Sequence, residues 1–327
     1  ILKKTRLATA IMLCGPMLLA AGCGGSSSGS GDDDGDAVVS RGEITGFGSV
    51  YVNGRRYQTD SSSFRVDDDD GVEGDLRLGM IVTVHGSRKD DGYHADRIDY
   101  DNELKGPVSA IDIIDGSSKT LTILGQSVLV TRDTKIDDDG NLTYDGILVD
   151  NLVGYALEVS GYISDSQLIA THIELQDGDD EIEIKGVIEK LGADSFEIRG
   201  FPVSYDDSTE IDDDIRELAN GLYVEVEGEL DIAGTTLLAR EVEAEDDGFD
   251  DDENEVEIKG VISGYNAETS RFTLQGMTVD ASNAQLDPAS LVLGDDLLVE
   301  VEGYITDGVL FADEVELEDD DDDGDDD

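Results

Sequence analysis

The sequence predicts an all-β fold class, a tandem array of four small five-stranded β-barrels, on three observations. One phrase recurs four times, its strands alternate apolar and polar residues, and glycines fall at matching places in every copy. The closing strands show the recurrence most plainly: His94-Ala95-Asp96-Arg97-Ile98, Ile169-Ala170-Thr171-His172-Ile173, Leu238-Ala239-Arg240-Glu241-Val242 and Phe311-Ala312-Asp313-Glu314-Val315. Their alanines lie 75, 69 and 73 residues apart, a period set by a small domain rather than by a short solenoid turn.

Each copy opens on an alternating strand that carries a glycine. In the third, Glu183 to Lys190 alternates around Gly186, giving one buried and one wet face. A glycine inside a strand marks a bulge or bend, which a small barrel needs where one strand pairs on two sides. Gly42, Gly106 and Gly260 match it. Two strands joined by a tight hairpin follow, Ser195 to Ile198 and Phe201 to Tyr205, with Gly200 supplying positive φ. Asn53-Gly54, Leu124-Gly125 and Gln275-Gly276 are its counterparts.

The connection Asp206 to Asn220 is rich in Asp and is expected to carry a short helix around Ile215 to Ala219. Leu222 to Gly228 then alternates again as a Val-x-Val-x-Gly strand, matched by Met80 to Gly86, Tyr155 to Gly161 and Leu297 to Gly303. The closing strand is Leu237 to Glu243. Three strands, a connection and two more strands is the order of an OB-like barrel. The units read as 41–101, 102–176, 182–245 and 256–318, and the 38% of AVILMFWYC residues with 6% aromatics suits small cores of Val, Ile and Leu.

Gln176 to Glu181, Glu245 to Glu255 and a tail over 319–327 are acidic and almost without apolar residues. Repulsion should extend them, so the units are expected to be strung apart in an elongated molecule. Units 1 and 2, separated only by Asp99 to Glu103, are expected to pack as a pair.

The first 22 residues read as a secretion signal: Lys3, Lys4 and Arg6, a short apolar stretch broken by Gly15-Pro16, then Ala20-Ala21-Gly22 before Cys23. Small residues ahead of a cysteine, followed by Gly24-Gly25-Ser26-Ser27-Ser28-Gly29-Ser30, resemble a bacterial lipoprotein cleavage box with its tether, here 23–40. Ala20 stands where leucine is usual, with Leu19 one place earlier. The resemblance implies that Cys23 becomes the lipidated first residue, a lipid anchor in the membrane. Gly24 after it is compatible, by analogy, with an outer-membrane lipoprotein facing the periplasm or the cell surface. The alternative is an ordinary signal in which Cys23 is incidental. Cys14 lies in the leader, so no disulfide is expected after processing.

A formal charge of −57, from 22 Lys+Arg against 79 Asp+Glu, argues against nucleic-acid partners, whose affinity rests on cations releasing counterions. Divalent cations, cationic surfaces and solubility remain as uses for such charge.

In the first unit, Gly42-Glu43-Ile44-Thr45-Gly46-Phe47-Gly48-Ser49-Val50-Tyr51-Val52-Asn53-Gly54, followed by Leu78 to Gly86, resembles the bacterial repeat family known as domain of unknown function 5666. Units 3 and 4 lack the Gly-Phe-Gly-Ser run and resemble it more loosely. The resemblance implies an array at the cell envelope and brings no catalytic or binding residues with it.

Constellations for chemistry are sparse. His85, His94 and His172 fall at non-equivalent places without a partner at zinc spacing, so they read as strand or surface histidines. No Gly-x-Ser-x-Gly elbow occurs, and the paired carboxylates read as wet strand faces or charge runs. Asp67-Asp68-Asp69-Asp70-Gly71 and Asp137-Asp138-Asp139-Gly140-Asn141 offer hard oxygen donors to calcium. Neither completes an EF-hand, because Val66 and Lys135 replace the first Asp while Arg77 and Gly146 replace the closing Glu. Tyr51, Tyr57, Tyr93, Tyr100 and Phe47 concentrate in unit 1, as packing residues or as a sugar-binding face.

The reading that follows is a non-enzymatic, envelope-anchored binding or structural module with an envelope protein or glycan as partner. It has no catalytic, cofactor or metal residues. A calcium-dependent adhesion or scaffold protein is one alternative. An enzyme acting on envelope polysaccharide is another, and it would need a buried, pKa-shifted carboxylate in one unit only.

Overall fold

A computed structural model describes residues 36–67, 69–137, 143–144, 152–164, 167–176, 182–213, 215–244, 249 and 255–318. The leader, Cys23, the tether up to residue 35, Asp138 to Asn141 and nearly all of the acidic linkers and tail lie outside the described residues.

Unit 3 shows how each barrel closes. The first strand, Ile182–Glu189, pairs antiparallel with Ser195–Ile198 on one side and with Tyr223–Leu230 on the other. Ser195–Ile198 turns back onto Phe201–Ser204. The closing strand, Leu237–Ala244, then pairs antiparallel with Tyr223–Leu230 and parallel with Phe201–Ser204, which seals the ring. The same parallel seal recurs as Tyr57↔Tyr93, Val128↔Leu168 and Val279↔Leu310 in units 1, 2 and 4. In unit 4 the first strand is split into Val256–Val261 and Ser263–Asn266.

The helix expected around Ile215 to Ala219 is not there. Glu210–Ile211 instead lies parallel to the closing strand, and Ser63–Val66, Lys135–Asp137 and Gln285–Asp287 do the same in the other units. The Asp-rich connection favours local turns over helix because its side chains take up backbone donors, as Asp206 Oδ1 does from the Ser208 N–H at 2.8 Å. The only helical turn among the described residues is Glu73–Asp75 of unit 1.

The recurring glycines answer to two geometries. The hairpin pairs Asn53-Gly54, Leu124-Gly125, Arg199-Gly200 and Gln275-Gly276 have positive φ at both residues, as a type I′ turn requires. Gly86, Gly161, Gly228 and Gly303 sit at a bulge opposite Ala95, Ala170, Ala239 and Ala312. A Cβ on any of the four would lie 2.1 Å from the backbone oxygen of the residue before that alanine. One bulge therefore explains both the glycine and the alanine of the repeated phrase.

The barrel interiors are filled from the alternate faces of these strands. Ile44, Val52, Val84 and Ile98 lie in unit 1's core, and Ile258, Leu274, Val301 and Val315 in unit 4's. The apolar cluster of unit 2 continues without a break into unit 3.

The units are not strung apart. The first strands of units 2 and 3 pair antiparallel through Lys105↔Glu183 and Leu104↔Ile184. The first strand of unit 1 begins at Asp36, inside the expected tether, and pairs parallel with that of unit 4 through Val39↔Val256, Ser40↔Glu257 and Arg41↔Ile258. The strand bent to close a barrel leaves one edge of its first half unpaired, and a neighbouring unit covers that edge. Units 1 and 2 also pack as a pair. Ile81 donates its N–H to Ser160 Oγ at 2.9 Å, and Ile81, Tyr162 and Val261 bring units 1, 2 and 4 into one apolar contact.

Candidate functional site

Charged residues at equivalent strand positions make the joints between units. Glu103, Glu183 and Glu257 each stand three residues before the bend glycine, and Glu158, Glu225 and Glu300 stand in the Val-x-Val-x-Gly strands. The alternation that sends Val159, Val226 and Val301 into the cores turns these carboxylates outward. A lone barrel would leave them wet, as the sequence reading expected. Here a neighbouring unit covers them, and Glu103, Glu158, Glu183, Glu225 and Glu257 are buried.

Each buried carboxylate meets a donor, most of them from another unit. At the joint of units 1 and 4, Arg55, next to the hairpin glycine Gly54, bridges Glu257 and Glu302 and lies 3.7 Å from Glu255. Ser40 Oγ donates to Glu257 at 3.4 Å. At the joint of units 2 and 3, Asn102 donates to Glu183 at 2.9 Å and Lys185 lies 2.6 Å from Glu225. Arg41 of unit 1 and Arg199 of unit 3 converge on Glu103 at 3.7 and 3.3 Å. Between units 1 and 2, Tyr100 donates its hydroxyl to Glu158 at 2.9 Å.

Burial sets the protonation of these groups. It pushes Glu158 up to about 7, helped by the charge of Asp67, and Glu257 up to about 7 against the pull of Arg55. Glu300 rises to about 8 through burial and the charges of Glu257 and Glu318. These groups stabilise the fold fully below their ordinary value of 4.5, and that stability is lost as pH rises through about 7 to 8. The melting temperature is expected to fall between pH 5 and 9 in low-salt buffer, with each group contributing up to about 1.4 kcal/mol per pH unit between its two values. A melting temperature that is level or rising across that range contradicts the assignment.

Two sets of carboxylates converge closely enough to hold an ion among the described residues: Glu183, Glu225 and Glu227, and Glu257, Glu300 and Glu302. Both already receive a cation from the chain, Lys185 in the first and Arg55 in the second. The aspartates proposed for calcium are placed differently. Asp67 accepts from Asn102 at 3.4 Å, Asp69 and Asp70 lie exposed on a ribbon with Ser63–Val66, and Asp137 accepts from Arg77 at 2.5 Å.

The aromatics of unit 1 do not all lie on one face. Tyr57 and Tyr100 are buried in the core, with Tyr93 packed on Tyr57 at 5.6 Å, while Phe47 is exposed. His94 pairs with Asp91 at 2.8 Å, and His85 lies 2.9 Å from Arg97. His172 is not on the surface; its Nδ1 lies 2.9 Å from the Leu78 carbonyl across the joint of units 1 and 2, and burial lowers its pKa.

The units enclose a cleft of about 1500 Å³ to which all four contribute. Five basic residues line it, Arg41, Arg65, Arg97, Lys185 and Arg199, against six acidic ones, in a chain where 22 basic residues face 79 acidic. Gln126, Gln167 and Gln275 add amides, and Val187 and Tyr223 give it an apolar corner. Sequence reasoning missed this site because no one unit contains it.

No curated protein matches the chain. The family described as Domain of unknown function (DUF5666) matches it four times, over residues 38–99, 105–174, 185–243 and 259–316. With those matches spanning most of its length, the chain belongs to the DUF5666 family, as four tandem copies of the domain.

Proposed function

We propose that the protein is a non-enzymatic binding module of the cell envelope, tethered by lipid on Cys23, whose four barrels present one shared cleft to a hydrophilic envelope glycan. The near balance of charge in the cleft carries this reading. Over the chain as a whole acidic residues far outnumber basic ones, whereas in the cleft arginines, amides and carboxylates together offer the donors and acceptors that sugar hydroxyls take.

The carboxylates support a non-catalytic role. A glycosidase holds one acid with a raised pKa in a pocket, opposite a second that stays ionised. Here carboxyls raised by burial recur in units 2, 3 and 4, as Glu158, Glu183 and Glu257, and each meets a group of a neighbouring unit. A calcium-dependent scaffold, the second reading, would have to displace Arg55 and Lys185 from the two glutamate sets.

Titration calorimetry of the mature chain with soluble fragments of envelope glycans tests the proposal. Saturable binding is expected for the native chain and its weakening for Gln167→Trp, which pushes a bulky ring into the cleft from its wall. Absence of binding, or binding indifferent to Gln167→Trp, contradicts it.

A further inference from the structure

The four units offer the same two surfaces, and the structure uses only some of them. One is a knob, the outward pair flanking the bulge on the last hairpin: Ser87 and His94, Tyr162 and Ile169, Glu229 and Leu238, and Tyr304 and Phe311 in units 1 to 4. The other is a socket, made by the residue after the bend glycine and the one opening the Val-x-Val-x-Gly strand. In order these are Glu43 and Ile81, Pro107 and Ala156, Val187 and Tyr223, and Val261 and Leu298.

The knob of unit 2 is seated. Tyr162 and Ile169 pack against Ile81 of unit 1 and against Val261 and Leu298 of unit 4, leaving Tyr162 3% exposed. In units 1 and 3 the knob pairs are polar or mixed, Ser with His and Glu with Leu, with Leu238 48% exposed. Unit 4, unlike them, has aromatics on both strands. Its Tyr304 and Phe311 stack with centroids 5.6 Å apart, the composition of a covered knob, yet Tyr304 is 42% exposed. Unit 3 holds the matching vacancy: Val187 and Tyr223 are the equivalents of Val261 and Leu298, but Val187 is 42% exposed and both line the cleft.

We infer that the knob of unit 4 docks into the unit 3 socket of a second copy of this chain. The occupant is argued from the molecule itself, since the surface that covers the equivalent knob in unit 2 belongs to another copy of the same domain. The face also suits a partner as acidic as this one. Tyr304, Thr306, Val309 and Phe311 form an uncharged strip on a chain of charge −57, so these four side chains bring no carboxylate of their own to a cleft whose five basic residues nearly balance its six acidic ones. Knob and socket lie on different units, so the contact is head-to-tail and propagates into a ring or a filament. This inference rests on the reading of the cleft as a binding place, and it names one thing that enters there.

Sedimentation velocity of the mature chain across a concentration series tests it. The native chain is expected to associate, and Tyr304→Glu and Val187→Glu are each expected to weaken association at least tenfold. Both positions are exposed, and an unchanged melting temperature verifies that each variant is folded; Phe311→Ser serves as a second knob variant. An equimolar mixture of the two variants retains one intact knob and one intact socket, and it should form dimers and nothing larger. A native chain that stays monomeric, association that survives Tyr304→Glu, or a mixture that stays monomeric overturns the inference. Loss in Val187→Glu alone overturns the unit 4 knob as what enters the socket while leaving glycan binding in the cleft to its own test.

Discussion

Replacing Gly161 by alanine is expected to destabilise the protein by about 3 kcal/mol, the upper range for forcing atoms into a filled site. The added Cβ would lie 2.1 Å from the Ile169 backbone oxygen and 2.9 Å from its carbonyl carbon. Both are backbone atoms of the paired strand, so no side chain can swing aside; relief requires the bulge to open. The bulge sets the register of the last hairpin, and slipping it would turn the alternating faces of that strand over. The same outcome is expected at Gly86, Gly228 and Gly303, where the approach is again 2.1 Å. Gly116 is the control. Nothing lies within 4 Å of a Cβ there, and Gly116→Ala should change stability by no more than about 0.5 kcal/mol. Urea denaturation of the two variants measures both. Equal losses at Gly161 and Gly116 would mean that backbone entropy, rather than close approach, fixes the glycine.

Arg55→Met should cost about 3 kcal/mol, the lower end for removing one partner of a buried ion pair. Glu257 is fully buried, and Arg55 also holds Glu302, so the change leaves two carboxylates facing Glu300 without their cation. The lower end applies because Arg55 retains 19% side-chain exposure and because Glu257, already pushed up to about 7, can take a proton. Glu257→Gln in the same chain should restore part of the loss, since an amide needs no counter-charge. Chemical denaturation of the single and double variants reads both effects. If Arg55→Met is neutral, the joint of units 1 and 4 does not depend on this pair.

How much of this was legible in the sequence follows from where each signal lies. The glycine of the Val-x-Val-x-Gly strand and the alanine facing it are tied to a backbone approach within one hairpin, so they recur in all four copies and can be read directly. The positive-φ pairs at the hairpin tips are local too, even where Leu124 or Arg199 stands in place of asparagine. The connection misled because helix and turn compete there for backbone donors that Asp side chains take up, which propensity does not weigh. Glu183, Lys185, Glu225 and Glu227 announced themselves only as an outward face. Whether that face is wet depends on which units pair, and no periodicity within a unit carries that information. Two hints were present. Arg55 directly follows a hairpin glycine in unit 1 alone, and Tyr304 and Phe311 repeat in unit 4 the apolar character of Tyr162 and Ile169. The leader and Cys23 read from sequence patterns alone.

The central claim is that four acidic barrels are held as one body by joints between their first strands and glutamates. Two amides test it most directly, because their acceptors belong to other units. Val39 of unit 1 donates to the Glu255 carbonyl at 3.0 Å, and Ile81 donates to Ser160 Oγ of unit 2 at 2.9 Å. Native-state hydrogen exchange should find both protected to the same degree as barrel amides such as Ile44, which donates within unit 1 to the Met80 carbonyl. Exchange of Val39 and Ile81 at the rate of open loops, with Ile44 still protected, would contradict it and return the units to separate beads on a charged string.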